Sequence, residues 1–490
     1  MPTDVSNRPR PLVWLVTAGI SLLLGCGGIG VRSDASAPPD LPPQADASPP
    51  PEDGSSLPDA AQDGSDAEAE TADATTVDEP ELVGAPLVFN PTARGFGLNA
   101  VVATREPSSL RARIRPAGAP LWGESVAPTV RGTDIAEWHF DGLAPRARYE
   151  YEILLPGADA GSAVYAGSAV TQRPTGAPFT FALITDSHIG ADLTYTNQGD
   201  PATLQAVSAE VAAASPDFVI HLGDMVDFHQ YGFNDPPPDS SITRLAYLNY
   251  RTLLGDTVGR VAHYPVIGNW EGENGCYTTD EIAWSMQMRW LYVPSPGPTT
   301  YPEGGGPNED YYAFTWGDAL FVVLNVMSYT PTAHLLSMNP GLPDDWTLGQ
   351  AQLDWLATTL ANATSTWRFL FIHHPVGGKA GDDSNSAYGR GGGQAAYVGE
   401  QATVHQLMLR HGARIFFYGH DHGFTDMTVD GIHYSLPGNA GAPWTFSQSE
   451  TGYSQYWPVS GWAEVTVAPD KVDVRFIEMG GELLYEYSLP

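Results

Sequence analysis

Five short groups of residues in this chain carry side chains able to hold metal ions or move protons. In order they are Asp186-Ser187-His188, Gly223-Asp224, Gly268-Asn269-Trp270-Glu271, His373-His374-Pro375 and Gly419-His420-Asp421-His422. Their donors are imidazole nitrogen, carboxylate oxygen and amide oxygen, which suit Fe, Zn or Mn over a thiolate-seeking metal. Singly, most have an ordinary explanation. An Asp-x-His pair arises by chance in a long chain, Gly223-Asp224 also reads as a turn with a capping carboxylate, and one of His373 and His374 could simply pack at a strand end. His420 and His422 say more, because residues two apart project to the same side of an extended backbone.

What the groups share is their position. The apolar runs Phe179–Thr185, Asp217–Leu222, Val261–Ile267, Trp367–Ile372 and Ala413–Tyr418 read as strands, and one group follows each. Loops at the carboxyl ends of strands are where α/β proteins place their sites. Helical patterns fall between them, at Thr203–Ala214, Leu245–Leu254, Glu281–Tyr292 and Ala402–Leu409, with another capped by Thr347 and running to Leu360. Tyr311–Trp316 and Leu320–Val326 add strands, and Ala463–Tyr487 is β-rich. Residues 177–490 therefore predict a layered α/β domain with two sheets inside. Residues 82–176 differ. Their short runs, among them Gly97–Thr104, Ser109–Arg115, Glu137–Phe140, Arg148–Leu154 and Ser162–Val170, are spaced as in a small all-β sandwich.

Composition narrows the function. The 490 residues are 42% hydrophobic and carry a formal net charge of −34, enough apolar material for more than one core. Acidic surfaces repel phosphate backbones, so nucleic acid is not an expected partner. A small phosphate ester remains open, because bound cations reverse the field locally. With only two cysteines, Cys26 and Cys276, a disulfide scaffold and a Cys-rich zinc site are both excluded. Residues 27–81 are mostly Ala, Asp, Pro, Ser and Glu, too polar to offset ordering entropy, and read as an acidic disordered tether.

Residues 1–26 read as an address. Arg8 and Arg10 precede an apolar run, Leu12–Leu24, that is short for a membrane span and ends in Leu23-Leu24-Gly25-Cys26. This resembles a bacterial lipoprotein signal, which implies export and a lipid on Cys26 as the sole membrane contact, in the periplasm or at the cell surface. An ordinary secretion signal or a membrane anchor is the alternative.

The five groups in this order and spacing resemble the calcineurin-like metallophosphoesterase family, over roughly Pro178 to Pro490. The resemblance implies a four-layer αββα sandwich, two metal ions and a small phosphate-ester substrate. Carried over by motif, Asp186, His188 and His422 would bind one ion, and Asn269, His373 and His420 the other. Asp224 would bridge them, one carboxylate oxygen for each. A hydroxide shared by the ions would attack phosphorus, with phosphomonoester hydrolysis expected ahead of phosphodiester hydrolysis. Glu271 and Asp421 would orient ligands or remain solvated. Leu143-Ala144-Pro145 followed by Tyr149-Glu150-Tyr151 resembles the tyrosine corner of fibronectin type III-like domains, and a similar sandwich precedes the catalytic domain of purple acid phosphatases.

Two positions depart from the pattern. Trp270 stands where the family usually has the His that contacts the phosphate or protonates the leaving oxygen, and indole cannot transfer a proton near neutral pH. His374 or His229 would have to substitute, the substrates would need good leaving groups, or the chain would be a metal-binding, phosphatase-like surface protein with little turnover. Asp227 stands where purple acid phosphatases carry a Tyr that binds ferric iron. Trp444 and Trp457 could line a pocket but read better as core or packing residues, and Asn439 as a turn residue.

Overall fold

The computed structural model describes residues 82–103, 105–155, 163–194, 198–227, 240–273, 279–326, 347–373, 400–451 and 453–490. The signal segment, the acidic tether, Cys276, His229 and His374 lie outside them.

In the N-terminal part the strands are β1 (Leu87–Thr92), β2 (Gly95–Val101), β3 (Arg111–Pro116), β4 (Thr129–Arg131), β5 (Ile135–Phe140), β6 (Arg148–Leu154) and β7 (Ala163–Val170). They form two sheets, β1-β2-β5-β4 and β3-β6-β7. Lettered A to G this is ABED over CFG, the immunoglobulin-like sandwich order. Tyr149, near the start of β6, accepts the Ala144 N–H at 2.9 Å, which is the tyrosine corner seen in the sequence. β1 was not among the expected strands because Pro91 interrupts its pattern, and proline is rare inside a ladder.

The larger part contains, in order, β8 (Phe179–Ile184), α1 (Pro201–Ala214), β9 (Phe218–His221), α2 (Ser240–Leu254), β10 (Ala262–Pro265), α3 (Thr279–Tyr292), β11 (Tyr312–Trp316), β12 (Ala319–Val323), α4 (Gly349–Asn362), β13 (Trp367–Phe371), α5 (Glu400–His411), β14 (Ile415–Phe417), β15 (Gly423–Val429), β16 (Ile432–Gly438), β17 (Gly461–Ala468), β18 (Lys471–Glu478) and β19 (Glu482–Leu489). One six-stranded sheet runs β10-β9-β8-β17-β18-β19, the other β11-β12-β13-β14-β16-β15. β8, β9 and β10 are parallel, as are β12, β13, β14 and β16.

Side chains alternate across these strands, so each sheet buries both faces. Phe181, Phe218, Phe314, Phe321, Phe369 and Phe371 meet between the sheets, with Phe181 and Phe218 of one sheet each 5.2 Å from Phe321 of the other between ring centroids. Burying such a ring is worth about 1.5–3 kcal/mol, so this stack holds the sheets face to face. On the outer faces, Ala182, Ile184 and Val219 meet Leu204 and Val207 of α1 and Tyr250 of α2. Leu320, Val322 and Phe416 meet Leu356 of α4 and Met408 of α5. The result is the four-layer αββα sandwich. α1 starts where Asp200 accepts the N–H groups of Ala202 and Thr203, with Pro201 in its first turn.

The small sandwich is tied to this core by buried polar bonds. Arg251 of α2 donates to Asn99 Oδ1 at 2.5 Å and to the carbonyls of Asn99 and Ala85. The Tyr151 hydroxyl donates to the Gly259 carbonyl at 2.8 Å.

Candidate metal centre

The groups do follow the carboxyl ends of parallel strands: Asp186 after β8, Asp224 after β9, Asn269 after β10, His373 after β13 and His420 after β14. Each chain turns sharply there. Asp186, His188, Asp224, His420 and His422 have φ of 54°, 48°, 52°, 79° and 51°. Such left-handed backbone costs non-glycine residues of order 1–3 kcal/mol each, and strain of this kind collects at functional sites. Gly268 and Gly419 let the loops close in. A Cβ on Gly268 would lie 2.2 Å from Asp224 Oδ1, and one on Gly419 would lie 2.7 Å from His373 Nδ1.

All seven expected ligands converge. One atom each from Asp186, His188, Asp224 and His422 fall within 4.8 Å of one another, and so do atoms of Asp224, His373 and His420. His188 Nε2 is 3.1 Å from His422 Nε2 and 3.5 Å from Asp224 Oδ2. His373 Nε2 is 2.9 Å from the same Asp224 oxygen. Asn269 Oδ1 joins the second group, 3.2 Å from His373 Nε2 and 3.0 Å from His420 Nδ1. The two oxygens of Asp224 have different partners. Asp224 Oδ2 alone faces His188 and His373, while Oδ1 accepts the Trp270 backbone N–H at 2.8 Å.

Neighbouring carbonyls fix the ring orientations. His373 Nδ1 donates to the Leu222 carbonyl at 2.7 Å and His422 Nδ1 to that of Trp444 at 2.8 Å. In the neutral ring each Nε2 then turns its lone pair inward, as metal ligation requires; His373 must first release its Nε2 proton. Burial holds His188 down to about 3 and His422 down to about 4, so both rings are neutral near neutral pH. Burial lifts the Asp186 carboxyl to about 7. Burial also opposes charge on His373, but the Asp224 carboxylate outweighs it and raises the imidazole to about 9. Burial would raise Asp224 too, and the His373 charge instead draws it down to about 2. The buried Asp186 carboxyl faces the neutral rings of His188 and His422 and lacks a positive partner there, which a bound cation would supply. The donor set thus fits two metal ions of the Fe, Zn or Mn type.

Glu271 is not solvated. It is fully buried and accepts the N–H groups of Asp224, Met225 and Gly268, clamping the loop that carries Asp224. Asp421 is buried and accepts the Tyr453 hydroxyl at 2.5 Å. Two sequence readings need correction. Asn439 is a buried brace, not merely a turn residue, and its amide donates to the carbonyls of His422 and Val459. Trp444 is not simply packing, because its carbonyl orients His422 and its ring lies 5.4 Å from His188 and 5.1 Å from His422. No local motif marks either residue; only the return of β16 beside the site reveals them. Asp227 is buried, and its backbone N–H bonds the Ile189 carbonyl at 2.9 Å.

Comparison with known proteins agrees with this architecture. The calcineurin-like phosphoesterase family model matches residues 179–424, from β8 through all five groups. Tartrate-resistant acid phosphatase type 5 of Mus musculus is 22% identical over 307 residues, covering 59% of this chain and 83% of that protein. The Homo sapiens protein of the same name is 24% identical over 301 residues, covering 59% and 84%. The solved structure of PhoD shares the fold, with a TM-score of 0.63 at 16% identity over 84% of this chain and 90% of that one. With the family match spanning half of its length, the chain belongs to the calcineurin-like phosphoesterases and is a metal-dependent phosphoesterase.

Proposed function

We propose that this chain hydrolyses phosphate esters, monoesters ahead of diesters, with two metal ions of the Fe, Zn or Mn type at its working centre. Asp186, His188 and His422 would hold one ion, and Asn269, His373 and His420 the other, with Asp224 shared. The observation that carries the reading is Asp224 Oδ2, which faces imidazoles of both groups. Bound there, two cations neutralise phosphoryl oxygens and lower the pKa of water, making hydroxide available for in-line attack near neutral pH. The chain supplies position. Glu271 fixes the Asp224 loop, the Leu222 and Trp444 carbonyls set two rings, and the Asn269 amide oxygen meets both His373 and His420. Hydrolysis of a chromogenic monoester and diester by wild type and Asp224→Ala tests this. Loss of turnover in the variant is expected, and undiminished turnover would refute it.

Trp270 favours a second reading, a metal-binding surface protein with little turnover. Two bound metals without hydrolysis of any ester would support that reading instead. The N-terminal segment supports export and attachment through a lipid on Cys26. Fatty-acid labelling lost in Cys26→Ser is the expected result, and labelling retained in that variant would contradict it.

A further inference from the structure

We propose that Trp270 and Trp444 form a specificity wall that favours aryl phosphate esters, whose leaving oxygen needs no proton from the Trp270 position. The inference rests on the phosphoesterase reading and deepens it. Two independent observations meet here. The first is geometric. The Trp270 ring lies 5.7 Å from that of His188, Trp444 lies 5.4 Å from His188, and the two indoles stand edge to face at 5.9 Å. Phe446 extends the surface, 5.6 Å from His422. All three aromatic residues are only partly buried, beside His188 and His422, which are buried. These indoles lie within one ring contact of the ligating imidazoles. A planar group bonded directly to the phosphoryl oxygen would therefore reach them, whereas a nucleobase, separated from its phosphate by a sugar, would overshoot.

The second observation is chemical. The indole of Trp270 can donate a hydrogen bond but cannot deliver a proton. In the reaction, water adds to phosphorus and the ester P–O bond breaks with its electron pair on the leaving oxygen. The proton that water loses returns to that oxygen through solvent. A phenolate tolerates the unprotonated stage because the ring spreads its charge; an alkoxide does not. An indole where an acid would otherwise stand typically costs roughly 10²–10⁴ in rate, and that penalty falls on alkyl esters. One pair of indoles thus favours aryl esters in binding and in chemistry.

The test compares phenyl and 4-nitrophenyl phosphate with methyl and glycerol phosphate on the metal-loaded chain. It also compares inhibition constants, or directly measured binding, for phenylphosphonate and methylphosphonate. We expect kcat/KM to favour the aryl esters by roughly a hundredfold or more and to rise steeply with leaving-group acidity. Phenylphosphonate should bind roughly tenfold tighter than methylphosphonate, with the preference shrinking in Trp444→Leu. Trp270→His should flatten the leaving-group dependence and raise alkyl ester turnover. Equal turnover of alkyl and aryl esters, with the two phosphonates bound alike, would overturn the proposal and leave the phosphoesterase reading standing. If no ester is hydrolysed, that reading fails, and the phosphonate comparison alone decides the wall: equal affinity overturns it, and a preference lost in Trp444→Leu upholds it.

Discussion

Glu271 holds the loop of Asp224: its carboxylate accepts the backbone N–H groups of Asp224 at 3.1 Å and of Met225 and Gly268 beside it. Burial and the nearby Asp224 charge push this carboxyl up to about 8. Both of its oxygens nevertheless face N–H donors, a pattern that the ionised form satisfies. Glu271→Gln would turn an amide NH₂ against those donors. The expected outcome is metal affinity weakened by roughly 10–100-fold, measured by calorimetric titration. Unfolding stability should also fall by about 1–3 kcal/mol.

Metal affinity should rise with pH. Asp186, lifted to about 7 by burial, and His373, raised to about 9 by Asp224, must each release a proton before ligating. Below pH 7 both protons oppose the metal, so affinity should drop by up to roughly a hundredfold per pH unit. Between 7 and 9 only the His373 proton opposes it, and the slope should halve on a logarithmic scale. Calorimetric titrations at pH 6, 7 and 8 measure this; affinity independent of pH would contradict the assignment.

Asn439 braces the carbonyls of His422 and Val459 from inside the protein. Asn439→Ala leaves these acceptors unpaired at about 1–3 kcal/mol in stability. It should weaken the ion held by His422 more than the ion held by His373, visible as the earlier loss of one metal under increasing chelator.

Arg251 ties the small sandwich to α2 through Asn99 and Ala85. In Arg251→Leu the buried carbonyls lose their donor, and chemical unfolding should show a loss of about 1–3 kcal/mol. Metal content should stay at the wild-type value, since Arg251 touches none of the expected ligands.

The site was legible in sequence because strand and loop are contiguous: an apolar run followed by Asp, Asn or His states both the element and the position of the ligand. The separate partners of the two Asp224 oxygens were not legible. They depend on the Trp270 N–H reaching Asp224 across 46 residues, and no local pattern records such a contact. The β15–β16 hairpin was also unread, although Asp430-Gly431 is a turn signal and both residues have positive φ, 52° and 81°. Its polar residues hid the strand pattern, and they are paired among themselves, with Asp426 accepting from His433 and Ser435. Whether Glu271 orients ligands or stays solvated was left open for a similar reason, since its partners are backbone groups that every sequence carries alike.

Asp224 would serve two ions at once. Metal content of purified, metal-saturated protein by mass spectrometry tests it most directly. Two ions per chain in the wild type, falling to one or none in Asp224→Ala while the fold persists by circular dichroism, is the predicted result. A single ion in the wild type, or two retained by the variant, would contradict it.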